Sequence, residues 1–249
     1  MAANKLSGKV ALITGASRGL GKAMAMALAD AGAKVALVSR NREQLHAVAH
    51  EVGVQAKVFV ADVSREEDVA RLQSEVMAAY GGVQILINNA GINIRKPLTD
   101  FTLDEWNNVL TTNLTAPFLV CRAFVPQMKG KGYGRIINVT STMSHVSMPL
   151  RGAYSASKAG LLGMTRVLAL ELAADGITVN GISPGPFATE MNTVLMQNPE
   201  VNQQFLSRIP VGRWGKTAEV GQLAVYLCAE ESGFITGTDI LIDGGWCAQ

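Results

Sequence analysis

Cysteine is scarce in this chain: Cys121, Cys228 and Cys247 are the only three among 249 residues. An odd number, so widely spaced, forms neither a disulfide framework nor a zinc pattern, and it fits a reducing cytoplasm. Histidine is as rare. His46 and His50 stand four apart but lack the glutamate and third ligand of a zinc helix, so no metal is expected. Charge is thin as well, with 17% charged against 48% hydrophobic residues and a net charge of +2. That balance excludes disorder, and the lack of a basic stripe with interleaved aromatics argues against a nucleic-acid partner. No apolar run reaches membrane-spanning length, because Asp30 and Lys34 break the stretch from Ala23 to Val38. The opening residues, Met1 to Lys9, show no apolar signal region, and a cytoplasmic location is expected.

What the chain does have is alternation. Short β-branched runs at 10–13, 35–38, 56–60, 85–88, 135–139, 177–182 and 240–242 are separated by helical patterns. Those patterns cover 20–31, 42–51, 66–80, 103–128, 154–174 and 218–229. Strand and helix in turn predict an α/β domain with one parallel sheet of about seven strands and helices on both faces. No linker or repeat divides the chain, so residues 1–249 read as a single domain. Pro184 to Trp214 departs from the rhythm with Pro186, Pro199 and Pro210, and a substrate lid is expected at about 186–214.

The first strand runs into Gly15-Ala-Ser17-Arg18-Gly19-Leu20-Gly21, three glycines at a Gly-x-x-x-Gly-x-Gly spacing before a helix. Such a turn lets the backbone approach a pyrophosphate, which the helix N-terminus favours. At the end of the second strand, where an NAD site places an acid, stands Ser39-Arg40. With Arg18 they suit a 2′-phosphate, so NADP(H) is the expected cofactor. Asp62-Val63 and Asn88-Asn89-Ala90-Gly91 follow the third and fourth strands, at carboxyl ends where ligands bind. Asp62 reads both as an acceptor for the adenine amino group and as a helix cap.

Tyr154 and Lys158 are four apart on a predicted helix, with Ser141 thirteen residues upstream. Positions i and i+4 share a face, so phenol and ammonium can point into one cavity. A lysine there can lower a tyrosine pKa by about 3 units, toward neutrality. A phenol so tuned is a general acid for a carbonyl oxygen and a general base for an alcohol. Pro117, four residues after Asn113, has no N–H to offer the Asn113 carbonyl, which is left free for water, and a kink is expected there.

These pieces, with Pro184-Gly185 and the terminal Asp243-Gly244-Gly245, resemble the short-chain dehydrogenase/reductase family over essentially the whole length. The resemblance implies a Rossmann-type doubly wound sheet and a catalytic tetrad of Asn113, Ser141, Tyr154 and Lys158. Tyr154 would exchange the proton with the substrate oxygen, Ser141 would orient that oxygen, and Lys158 would bind the nicotinamide ribose. Asn113 would hold a water extending the proton relay. Thr189 would bond the nicotinamide carboxamide, with Ile182 or Pro184 on its ring. A homotetramer built on the Tyr154 helix and its neighbour is also implied.

The segment from Asn89 to Trp106, containing Arg95, is similar to gluconate 5-dehydrogenases and keto-deoxygluconate dehydrogenases, as are Arg213-Trp214 and Trp246. A sugar acid or polyol-type substrate is therefore expected, its carboxylate held by Arg95. Met143, His145, Phe187 and Met191 are the further expected substrate contacts. The rival is a 3-oxoacyl-acyl-carrier-protein reductase, which carries basic residues where this chain has Gly132 and Asp175. A nucleotide-binding sensor without turnover is the alternative of another class, and such proteins usually lose the tyrosine or the lysine.

Overall fold

The structure, a computed structural model, describes residues 4–248, the side chain of Met191 excepted. Residues 1–3 and 249 of the expected domain lie outside it. Seven strands form one parallel sheet in the order β3-β2-β1-β4-β5-β6-β7. They are β1 (Val10–Thr14), β2 (Lys34–Ser39), β3 (Ala56–Val60), β4 (Ile85–Asn88), β5 (Gly134–Val139), β6 (Ile177–Pro184) and β7 (Asp239–Ile242). Each lies within about two residues of its predicted place.

Strand periodicity divides the core. In β1, Ala11 and Ile13 enter one apolar cluster, while Val10 and Leu12 enter the other, on the opposite face. The first cluster is closed by α1 (Gly19–Asp30), α2 (Arg42–Val52) and α9 (Thr217–Cys228), through Met24, Leu28, Leu45 and Val220. The second is closed by α3 (Glu66–Tyr80), α5 (Ala116–Met128) and α6 (Gly152–Leu172), through Leu72, Phe124 and Leu172. The crevice opens where strand order reverses, between the carboxyl ends of β1 and β4.

One predicted helix, 103–128, is built in three parts. The helix α4 (Leu103–Leu110) passes through a π-helical turn, Thr111–Thr115, into α5. This wide turn sits where Pro117 cannot donate to Asn113, so the expected kink takes the form of a π-bulge. The whole segment Leu103–Met128 is long and apolar enough to cross a membrane, contrary to the sequence expectation. Its apolarity has another cause: Val109, Val120, Cys121, Phe124 and Met128 pack inward.

The stretch expected as a lid folds into two short helices, α7 (Thr193–Gln197) and α8 (Pro199–Ser207). Asn198 caps α8 by accepting from Glu200 and Val201 backbone N–H groups at 3.1 and 3.2 Å, with Pro199 at the first helical position. Phe205 then stacks between Trp214 and Trp246, at centroid distances of 5.5 and 5.6 Å. That stack ties the lid to the chain terminus.

Candidate active site

A cleft of about 490 Å³ runs along the carboxyl ends of β1, β2, β4, β5 and β6, a size that suits a small-molecule ligand. At one end lie Gly15, Ser17, Arg18, Gly19 and Leu20, facing Ser39, Arg40, Asp62 and Val63. Asn89, Ala90 and Gly91 form its floor. At the other end lie Ser141, Met143, Tyr154 and Lys158, closed over by Pro184, Gly185, Phe187 and Thr189.

The glycine loop is shaped for close approach. Gly15 has φ +64°, and a Cβ on it would stand 2.8 Å from Asn89 Nδ2. Gly21 does not line the cleft as expected. A Cβ there would lie 2.3 Å from the Gly15 carbonyl oxygen, so its absence lets α1 pack under the loop. Asn89 fastens the loop to β4, its Nδ2 donating to the Thr14 and Gly15 carbonyls at 2.9 and 3.1 Å. The Thr14 hydroxyl receives the backbone N–H groups of Asn89 and Ala90 in return.

At the far side of that loop Arg40 Nη1 lies 3.6 Å from the Asp62 carboxylate. Asp62 also accepts from the Ser64 hydroxyl and N–H at 2.6 and 3.1 Å, which caps the approach to α3. Burial raises the Asp62 pKa, but the Ser64 bonds and the Arg40 charge outweigh it and hold it below the usual carboxylate value. Asn41 caps α2 by accepting from Gln44 N at 2.9 Å, so Arg40 is set on a fixed turn.

Tyr154 and Lys158 lie one turn apart on α6, with Lys158 Nζ 5.8 Å from the centre of the tyrosine ring. The Ser141 hydroxyl accepts from Met143 N at 3.1 Å, which leaves its own proton to donate. Burial pushes the Tyr154 phenol above its ordinary pKa, while the Ser141 hydrogen bond and the Arg151 charge pull the other way. The phenol therefore stands above its ordinary value, contrary to the expected lowering, because burial outweighs the Ser141 bond and the Arg151 charge. Lys158 itself is pushed down to about 8 by burial, against the opposing charge of Asp239. Its ammonium donates to the Val139 carbonyl at 2.6 Å.

Asn113 is fully buried behind Gly91 and is not part of the cleft wall. Its amide accepts from Ile92 N at 2.8 Å and donates to Ile92 O at 2.9 Å and to Ser157 Oγ at 3.0 Å. Ser157 in turn donates to the Tyr154 carbonyl at 2.7 Å. Asn113 therefore braces the loop after β4 against the turn of α6 that bears Tyr154.

Among the expected substrate contacts, Arg95, Met143 and Phe187 line the cleft, and the side chain of Met191 lies outside the described part. Arg95 donates to Asn192 Oδ1 of the lid at 3.2 Å. His145 does not face the cleft. Its Nε2 lies 2.7 Å from Asp239 Oδ2, drawn away by a buried carboxylate. Asp239 also accepts from the Thr140 and Ser183 hydroxyls at 2.6 and 2.7 Å. A Cβ on Gly181 would stand 2.2 Å from Asp239 Oδ1, so glycine makes this burial possible. Ile182 is wholly buried in the core, and Pro184 alone of that pair reaches the cleft.

Sequence reasoning missed Asp239 and Phe205, whereas Arg151, expected in the pocket wall ahead of Tyr154, does line the cleft. Asp239 carried a readable signal: an acid opening an otherwise apolar strand, β7. Arg213, part of the motif read as substrate-related, is instead paired with Glu219 at 2.6 Å and helps to start α9.

The chain matches the family model described as enoyl-(acyl carrier protein) reductase over residues 15–247. It is 38% identical over 245 residues to a 3-oxoacyl-[acyl-carrier-protein] reductase of Aquifex aeolicus, covering 97% of this chain and 98% of that protein. It is 37% identical over 243 residues to a gluconate 5-dehydrogenase of Gluconobacter oxydans, covering 96% and 95%. Its structure superposes with a TM-score of 0.94 on a gluconate 5-dehydrogenase from Burkholderia cenocepacia in complex with NADP and tartrate. That pair is 34% identical and covers 100% of this chain and 99% of the other.

Proposed function

The chain belongs to the short-chain dehydrogenase/reductase family of oxidoreductases, and we propose that it interconverts a secondary alcohol and a ketone of a sugar acid or polyol-type substrate, using NADP(H). The observation that carries this reading is one cleft with Ser141, Tyr154 and Lys158 at one end and Arg18, Ser39 and Arg40 at the other. The residues present fit the nucleotide: Gly15 offers a cradle that a Cβ would fill, and two guanidiniums with a hydroxyl suit a 2′-phosphate. Gly15, Ser17, Gly19 and Leu20 would hold its pyrophosphate, Asp62 and Val63 its adenine, and Asn89 to Gly91 with Pro184, Gly185 and Thr189 its nicotinamide half. When bound, the nicotinamide accepts or supplies the hydride.

The proton belongs to Tyr154. In reduction its phenol donates to the ketone oxygen, and in oxidation the phenolate takes the alcohol proton. Ser141, with its own oxygen occupied by Met143 N–H, directs its proton at the same substrate oxygen and fixes its position. Lys158 contributes a positive charge near the phenol and hydrogen bonds to the ribose. Asn113 holds the Ile92 loop and, through Ser157, the Tyr154 backbone, and its carbonyl, unmatched by Pro117, suits a relay water. Arg95 contributes a cation for a substrate carboxylate.

A panel of keto-gluconates, uncharged ketones and acyl thioesters, with NADPH oxidation followed at 340 nm, tests the substrate reading. Faster turnover of acyl thioesters would favour the second reading, a 3-oxoacyl-acyl-carrier-protein reductase, which the 38% identity to one supports. Against it stand Gly132 and Asp175 where that group carries basic residues for its acidic carrier; Asp175 here accepts from Gly130 N at 3.2 Å. The intact Ser141, Tyr154 and Lys158 argue against a sensor without turnover. A cytoplasmic homotetramer completes the proposal, since Val167 and Leu170 are exposed on α6 and Phe118 on α5.

A further inference from the structure

We propose that Asp239 is a positioning residue for Ser141: its buried carboxylate fixes the end of β5, through Thr140 and Ser183, so that the Ser141 hydroxyl meets the substrate oxygen. This rests on the oxidoreductase reading above and adds to it a residue that does not itself line the cleft.

The fold brings this acid to Ser141 across one strand. Asp239 opens β7 and pairs with Gly181 of β6. A Cβ on Gly181 would meet Asp239 Oδ1 at 2.2 Å, so the bare glycine lets the carboxylate pass over β6 toward β5. There Oδ1 lies 2.6 Å from the hydroxyl of Thr140, ninety-nine residues away in sequence. Oδ2 lies 2.7 Å from the Ser183 hydroxyl and 2.7 Å from His145 Nε2. The Asp239 side chain is only 2% exposed, so these three groups are what replaces water around it.

A count of protons gives these bonds their direction. A carboxylate only accepts, so the Thr140 and Ser183 hydroxyls donate to it. The competing acceptors are already served: Ile182 O receives the Thr140 N–H and Ser141 O the Ser144 N–H, both at 2.8 Å. Ser183 Oγ also lies 2.9 Å from the Ser141 carbonyl oxygen, so one end of the network touches Ser141 itself. The other end holds its neighbour. Ser141 is extended, with φ −169° and ψ 158°, and successive side chains of extended backbone point to opposite sides. Thr140, tied to Asp239, therefore backs the residue whose hydroxyl bonds Tyr154. Burying a carboxylate costs free energy that an apolar residue would avoid. What the acid adds is direction, since charge-assisted bonds hold the backbone of a group that must stay within about 0.5 Å of its working place.

The test first reads Ser141 without turnover. The Met143 and Ser144 amides bond Ser141 Oγ and O, so their hydrogen exchange in the full-length, nucleotide-free protein reports how firmly Ser141 is held. Asp239→Asn, and Thr140→Val, which keeps the shape and removes the hydroxyl, should each speed exchange at Met143 roughly tenfold beyond any change at Leu12 in β1, which follows overall stability. Thr140→Ser, which keeps the hydroxyl, should restore the parent rate. Turnover of 5-ketogluconate with NADPH is then measured for Thr140→Val, which leaves the charge of Asp239 in place. Its kcat should fall about tenfold with KM within about threefold, and the same change in a Ser141→Ala background should cost less than about twofold, because the effect passes through Ser141. Met143 exchange that moves no more than Leu12 exchange in both variants would overturn the positioning role, and so would a kcat loss that persists in full without the Ser141 hydroxyl. A parent that oxidises NADPH with no ketone at all would overturn the proposed function, while the exchange comparison still decides the role of Asp239.

Discussion

The ammonium of Lys158 donates at 2.6 Å to the carbonyl of Val139, the last residue of β5. That bond holds a buried cation in the wall of the cleft, and burial lowers its pKa to about 8. The site therefore costs stability. Lys158→Met should raise the melting temperature at pH 7, corresponding to roughly 1–3 kcal/mol after the loss of the Val139 bond, and should abolish turnover. The pH dependence has a definite sign. Between a folded value of about 8 and an unfolded value of about 10.4, the unfolded chain holds more protons, so the parent gains stability as pH rises. The parent loses that gain as pH falls to the folded value. Melting temperatures at pH 7 and pH 10 should show the gap between parent and variant narrowing, and a constant gap would refute the account.

Tyr154→Phe removes the proton donor and acceptor at the substrate oxygen while keeping the ring. We expect kcat to fall by roughly 10²- to 10⁴-fold. Nucleotide affinity, measured by NADPH fluorescence, should change little. Full activity in the variant would falsify the role of Tyr154.

Cofactor choice should follow the guanidiniums at the far end of the cleft. NADPH is expected to bind at least tenfold more tightly than NADH, since a charge-assisted bond contributes about 1.5–3 kcal/mol. Arg40→Asp places a carboxylate on the turn that Asn41 fixes and should reverse the order. Equal affinities in the parent protein would defeat the argument.

Asp239→Asn should act in two ways. Thr140, Ser183 and His145 lose a carboxylate that all three approach within 2.7 Å, which should cost roughly 1–3 kcal/mol in urea unfolding. Lys158 also loses the negative charge that keeps its pKa from falling further. The loss of nucleotide binding at alkaline pH should therefore begin at a lower pH in the variant. His145→Gln, at the partly exposed end of the network, should have a smaller effect on stability and leave that pH edge in place.

Assembly should depend on α6. Leu170 is 82% exposed and Val167 48%, and they lie three residues apart on one face. Leu170→Glu with Val167→Glu places charge on that face, and light scattering at micromolar concentration should report tetramer for the parent and smaller species for the variant. A monomeric parent would count decisively against this assembly.

Much of the fold was legible because parallel sheets advertise themselves. Strands buried on both faces must be apolar throughout, and the crossovers between them must be amphipathic helices, so all seven strands could be placed from the sequence. Tyr154 and Lys158 were legible for a similar reason: i and i+4 spacing on a helix is a local geometric fact. Asn113 was legible as a residue but not in its geometry. That its amide would bond Ile92, twenty-one residues away, depends on how two loops meet.

The sequence by itself determined the sheet, its helices, the glycine turn and the face of α6 that bears the candidate chemistry, because each follows from short-range periodicity and backbone sterics. Tertiary structure alone decided which distant groups share one environment. It turned His145 toward Asp239, ninety-four residues on, instead of toward substrate. It set Phe205 between two tryptophans and brought the Arg95 loop against the residue after Arg151. The reason is physical: burial, charge coupling and hydrogen bonding act over ångströms in space, and only packing converts separation along the chain into such distances.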